Sequence, residues 1–190
     1  MSSQPIRLAV IIGSTRTGRF APTVARWFVG QAEQREDVIV DVIDLAEIGL
    51  PEPLGAEPGP EGAAVRSRLA EAEAFVVVTP EYNHSYPAAI KVAIDWHYDE
   101  WVAKPVAFVS YGGRAGGLRA VEHLRQVFAE VHAVPIRDTV SFHGARDSFD
   151  DHGEPKEAAE YAAAAKTLLD QLVWWALCLT EAKAKRPYQL

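Results

Sequence analysis

The sequence predicts an α/β fold, a five-stranded parallel sheet held between two layers of helices. Three observations predict it. Short, continuous apolar runs rich in Val and Ile recur along the chain, as strands buried on both faces require. Segments of helical periodicity separate them, and such alternation gives a parallel sheet covered on both sides. Distinctive polar loops follow three of the runs, two of them rich in glycine, where the carboxyl ends of parallel strands hold ligands. With 190 residues and 48% hydrophobic content, residues 1–190 form one domain with a full core.

The first run, Leu8–Ile12, passes into IIGSTRTGRFAP (11–22). A helix follows, because Val24, Trp27 and Phe28 share a face at i, i+3, i+4 and Pro22 suits a first helical turn. Val38–Ile43 is the second strand, and the Pro/Gly-rich stretch Pro51–Gly62 after it reads as a surface loop. Val65, Leu69 and Ala72 mark the second helix, and Phe75–Val78 the third strand. Ala89, Ile90 and Ala93 mark the third helix, entered through Pro87. Val106–Val109 is the fourth strand. Leu118, Val121, Leu124, Val127, Phe128 and Val131 then stripe a fourth helix. Thr139–Phe142 is a weaker fifth strand, His143–Pro155 a polar loop, and the last helix runs from about Pro155 to Thr180. These elements match the flavodoxin-like α/β/α sandwich of strand order 2-1-3-4-5.

Composition excludes several functions. A formal net charge of −7 argues against a nucleic-acid binder, which needs a basic face. No apolar run approaches the roughly 20 residues of a membrane span. MSSQPIRLAV is read as carrying no secretion signal. Cys178 is the only cysteine; it excludes an internal disulfide, points to a reducing cytoplasm and is expected to pack as a small hydrophobe.

The first loop sits where phosphates are held. Its backbone N–H groups and the following helix dipole face an anion. Ser14, Thr15 and Thr17 add hydroxyls, and Arg16 and Arg19 add guanidinium forks. Gly13 and Gly18 have G-x-x-x-x-G spacing, but Arg19 and Phe20 stand where a triphosphate loop needs Lys and Ser/Thr. A G-x-G-x-x-G pattern is absent, and so is the cysteine of a thiol phosphatase loop. A terminal monophosphate held without metal remains, as in flavin mononucleotide (FMN), beside the plain alternative of a Ser/Gly turn with solvated arginines.

Two further loops reach the same sheet edge. TPEYNHSYPAAIKVAIDW (79–96) follows the third strand and SYGGRAGG (110–117) the fourth. A flavin ring needs backbone donors and acceptors plus apolar surface. Pro80–Asn83 supplies the first, and Gly112, Gly113, Gly116 and Gly117 let backbone approach closely. GSTRTGR, PEYNHSYPAAIKVAIDW and SYGGRAGGLRAVEHLR together resemble the signatures of the NADPH-dependent FMN reductase family, over roughly residues 6 to 142. The resemblance implies that Ser14, Arg16 and Arg19 hold the FMN phosphate, with Phe20 and Ala21 closing the loop. It implies that Pro80, Glu81, Tyr82 and Asn83 contact the ring system and that Gly112 and Gly113 border it. Tyr111 joins this set and, with Arg114, could touch the nicotinamide nucleotide. It also implies a homodimer or homotetramer.

The implied reaction is ping-pong: NADPH reduces the flavin, NADP⁺ leaves, and a small acceptor (free flavin, a quinone or an azo compound) takes the electrons. No side chain need act as acid or base in the hydride step, so none is assigned a catalytic role. A flavin-binding electron carrier or sensor without its own NADPH site is the alternative, and a nucleotide module without flavin a third. Among the histidines, His84 could border the substrate, while His97 and His123 read as surface or satisfied. His143 and His152 lie among aspartates without regular ligand spacing, so no metal is assigned. Trp96, Tyr98 and Trp101 cannot all be buried on one helical side, so some are expected at a partner subunit or the flavin pocket. Trp174 and Trp175 read either as interface or as caps on the core.

Overall fold

A computed structural model describes residues 4–51, 54–55 and 59–190. Its sheet is β1 (Ile6–Ile12), β2 (Val38–Asp44), β3 (Ala74–Pro80), β4 (Pro105–Tyr111) and β5 (Val134–Phe142). All pairings are parallel, in the order β2-β1-β3-β4-β5. The helices are α1 (Ala21–Ala32), α2 (Leu45–Ile48), α3 (Gly59–Glu71), α4 (Ala88–Trp96), α5 (Leu118–Glu130), α6 (Ala145–Ser148) and α7 (Ala158–Lys185).

Position in the sheet explains strand composition. β3 and β4, flanked on both sides, are buried at every residue, which is why they read as unbroken apolar runs. β2 is an edge and leaves Ile39 half exposed. β5 is the other edge; it begins at Val134, five residues before the expected start, because its Arg137-Asp138 segment carries no apolar pattern. One hydrophobic layer packs α1 and α7 on the sheet, with Trp27, Phe28, Leu168 and Leu172 buried. The other packs α3, α4 and α5, with Val65, Leu69, Ile90, Leu124 and Phe128 buried. Leu118, expected in the α5 stripe, is 42% exposed because it opens the helix at the sheet's upper edge.

The aromatic segment after α4 corrects two expectations. Trp96 and Trp101 are both core residues. Trp96 Nε1 donates to Pro51 O (2.8 Å), and Trp101 stacks edge-on between Phe75 and Phe128 while its Nε1 donates to Ile94 O (3.2 Å). A 3-10 turn at Asp99–Trp101 reverses the chain, so two rings on different elements share one side. Only Tyr98 stays out, at 44% exposure. His97, expected at the surface or satisfied, is fully buried, and neither ring nitrogen has a hydrogen-bond partner among the described residues. Burial, then nearby Arg66, pushes its pKa down to about 4. Trp174 and Trp175 remain exposed on α7, stacked edge-to-face 5.1 Å apart.

Candidate active site: a cleft at the switch point

The strand order reverses at β1, with β2 added on one side of it and β3 on the other, so the loops after β1 and β3 diverge and open a crevice at the carboxyl edge. A cleft of about 350 Å³ lies there, bounded by the loops after β1, β3, β4 and β5. That volume lies within the ~300–1,000 Å³ usual for small-molecule and cofactor sites.

The loop after β1 is pinned from below. Gly13 N donates to Val78 O (2.9 Å), and a Cβ on Gly13 would lie 2.3 Å from Ile90 Cδ1. Only glycine lets the loop lie this close to α4. Beyond it, the backbone N–H groups of Ser14, Thr15, Arg16, Thr17 and Gly18 meet no protein acceptor among the described residues. Gly18 turns through φ +66, and Ala21 and Pro22 open α1. The result is a run of donors at a helix start. Such a run binds anions.

The arginines of this loop divide. Arg16 is exposed and makes no ion pair among the described residues. Arg19, expected on the phosphate, instead forks onto Asp44 (2.5 and 2.7 Å) and bonds Ser14 O (2.8 Å). The hydrogen bonds to Asp44 raise its pKa, so it is a fixed cation that shapes the loop. Ala21, expected to close the loop, is wholly buried at the start of α1 and presents no side chain to the cleft. Ser14 is buried, its Oγ 2.7 Å from Tyr82 Oη, which ties the loop after β1 to the loop after β3.

Pro80, Glu81 and Tyr82 line the cleft beside Phe20, Tyr111, Gly112 and Gly113. Asn83 does not. Tyr82 N donates to Ser85 O and Ser85 N to Tyr82 O, closing a two-residue turn whose tip holds Asn83 (φ 50) and His84 (φ 74) in solvent. The Tyr82 N–H is therefore already spent, whereas the Glu81 N–H makes no hydrogen bond within normal range among the described residues. Glu81 itself pairs with Arg119 at the start of α5. In the glycine loop, Gly112 N donates to Phe142 O (3.1 Å), whereas among the described residues Gly113 N has no partner and a Cβ there would meet open space. Burial pushes the Tyr111 hydroxyl above its usual pKa, so it stays protonated at the cleft floor.

The fourth wall was not expected. Residues 143–155, read as a polar loop, form a strap that returns across the sheet edge. Gly144 N donates to Gly113 O (2.9 Å) and Ala145 N to Gly112 O (3.0 Å). Phe149 then packs edge-on against Phe20 (5.2 Å) and beside Phe142 (4.8 Å). Arg146 and Asp147 line the cleft from this side. Arg114 lies outside it, in a shallow groove shared with Glu81, Gly113 and Arg119. His143 bonds Arg114 O through Nδ1 (3.0 Å). Among the described residues no cluster of three or more His, Cys, Asp or Glu is placed to hold a metal ion.

The family of NADPH-dependent FMN reductases matches over residues 6–147, most of the chain. The chain belongs to this family. An NAD(P)H-dependent FMN reductase of Schizosaccharomyces pombe is 40% identical over 123 residues, covering 58% of this chain and 60% of its own length. A probable NADPH:quinone oxidoreductase of Oryza sativa is 35% identical over 141 residues, covering 68% of this chain and 71% of its own. By structure, the flavoenzyme NAD(P)H:(acceptor) oxidoreductase FerB of Paracoccus denitrificans superposes with a TM-score of 0.72 at 24% identity, over 90% of this chain and 97% of that one. It shares the flavodoxin-like fold.

Membership makes the chain an oxidoreductase with FMN as its cofactor. The residues present fit that group. Unpaired N–H groups at 14–18 and the guanidinium of Arg16 suit a phosphate, and Phe20, Tyr82 and Tyr111 offer ring surface. Glu81 N and Gly113 N suit the polar edge of a flavin.

Proposed function

We propose that this chain reduces small acceptors with electrons from NADPH, using FMN held in the cleft. The carrying observation is the juxtaposition of a donor-rich anion loop with an open aromatic cleft on one sheet edge. Bound FMN supplies the redox chemistry, accepting a hydride from the nicotinamide donor and passing electrons on. The protein's part is placement. Arg16 and the 14–18 amides would hold the phosphate; Glu81 and Gly113 would meet the ring's polar edge through their backbone; Tyr82 and Phe20 would exclude water from its side. No side chain in the cleft needs to move a proton during hydride transfer.

Donor and acceptor share that one opening in turn, a ping-pong sequence, because the chain carries no separate dinucleotide fingerprint. Quinones fit as acceptors, given the rice relative's name. A homodimer or homotetramer belongs to the same reading, with Trp174 and Trp175 on α7 available for burial; light scattering tests it. Anaerobic stopped-flow mixing tests the reaction. Excess NADPH is expected to bleach the flavin before any acceptor is added, and NADPH and a quinone varied together should give parallel double-reciprocal lines. Flavin that stays oxidised for minutes with NADPH and NADH would turn the protein into an electron carrier.

A further inference from the structure

We infer that Arg146, on the strap after β5, is a ligand of the cofactor phosphate and takes the place that Arg19 vacates. This rests on the FMN reading above. A phosphate monoester carries about −1.5 to −2 charge at neutral pH, and the first loop offers it one free guanidinium, Arg16. Arg19 has its fork on Asp44 and a further N–H on Ser14 O. Arg146 has no carboxylate in ion-pair range among the described residues.

Geometry brings Arg146 to the phosphate loop. β5 stands three strand spacings from β1, about 14 Å, yet the Arg146 guanidinium reaches Gly18 O (3.5 Å) and sits 6.0 Å from the centre of the Phe20 ring. Both are residues of the phosphate loop. The approach is fixed at each end, by Ala145 N on Gly112 O (3.0 Å) and by buried Phe149 against Phe20. A guanidinium lying over an aromatic face keeps its N–H edge free for an oxyanion. Arg16 and Arg146 thus line one cleft, the first from the phosphate loop and the second from the strap after β5.

The test compares two flavins. Apoprotein is titrated with FMN and with riboflavin, which lacks the phosphate, following flavin fluorescence. In Arg146→Ala the dissociation constant for FMN is expected to rise about ten- to a hundredfold, while that for riboflavin stays put. Arg146→Lys should recover part of the loss, since charge returns without the fork. Inorganic phosphate should compete with FMN on the wild type and less on Arg146→Ala. Equal weakening of both flavins would overturn the assignment by making Arg146 a ring or folding residue, which a thermal melt would corroborate. Unchanged affinity for both would overturn it by leaving Arg146 to solvent or the dinucleotide. Wild-type apoprotein that binds neither flavin would sink the FMN reading itself, and this inference with it.

Discussion

The loop after β1 and the strap after β5 meet over one cleft, but they are built differently. The loop is held from beneath, by Gly13 on Val78 and by the Arg19–Asp44 fork, so its outward amides stay free. The strap is held at its ends, by two backbone bonds to Gly112 and Gly113 and by Phe149, so its middle residue reaches inward. Both contain arginines. What an arginine does here depends on whether its N–H groups already have a partner, not on which loop carries it.

The largest test of that distinction is Asp44→Ala. The Arg19 and Asp44 side chains are 17% and 11% exposed, and removing one partner of a buried pair costs about 3–5 kcal/mol. Asp44 also caps α2 by accepting from Ala46 N (3.1 Å), which adds about 1 kcal/mol. Urea unfolding should show the loss. A cost under about 1 kcal/mol, typical of a surface pair such as Lys166–Asp170, would free Arg19 and return it to the phosphate.

Much of this was legible in the sequence, and the misses are instructive. The loop after β1 announced itself because spacing, flanking strand and following helix all point one way. The pairing of Arg19 with Asp44 did not, since the two are separated by 25 residues and meet only through strand order. Once β2 lies beside β1, Asp44 is in register with Ile12 at the foot of the loop. The strap had no pattern to find: Gly144 to Asp147 reads as an ordinary polar turn. Phe149, an aromatic stranded among polar residues, was the one signal that the segment packs on something. Of the three aromatics after Asp95, Tyr98 does stay outside the core, but the sequence did not show that a 3-10 turn would bring Trp96 and Trp101 to one side.

Acid separates the cleft from the rest of the fold, because the acid-sensitive buried group, His97, lies in neither loop. Its pKa of about 4 in the folded chain, against about 6.5 unfolded, means that the unfolded chain takes up the proton first. Stability is therefore complete above about pH 6.5 and is lost as the pH falls toward 4, by about 3 kcal/mol. His97→Leu should flatten that slope between pH 6.5 and 4 without changing flavin affinity at neutral pH. Carboxylates held below their usual range, such as Asp37 beside Arg35, act only further down. An unaltered slope in the variant would assign the acid sensitivity elsewhere.

Arg16→Ala turns to the ligand-facing side of the comparison. Arg16 is exposed and has no ion-pair partner among the described residues, so its loss should leave the thermal midpoint unchanged. A charge-assisted bond to phosphate is worth about 1.5–3 kcal/mol, so FMN should bind about ten- to a hundredfold more weakly. Asp44→Ala thus registers in stability and Arg16→Ala in affinity. A variant at Arg16 that melted early but bound FMN normally would reverse the two roles.

Tyr82→Phe should have the smallest effect, and it probes the tie between the loops after β1 and β3. Tyr82 Oη and Ser14 Oγ lie 2.7 Å apart, and Ser14 is fully buried. A neutral hydrogen bond of this kind contributes about 0.5–1.5 kcal/mol, and the Phe ring keeps the cleft wall. If Tyr82 donates to Ser14, the serine hydroxyl is left to donate onward to the phosphate, and the two bonds strengthen each other. Removing the phenol should then weaken FMN by less than about tenfold and leave riboflavin unchanged. An effect as large as that of Arg16→Ala would mean that the loop after β1 depends on its bridge to the loop after β3 for its shape. A loss of riboflavin affinity would instead place the Tyr82 hydroxyl against the ring.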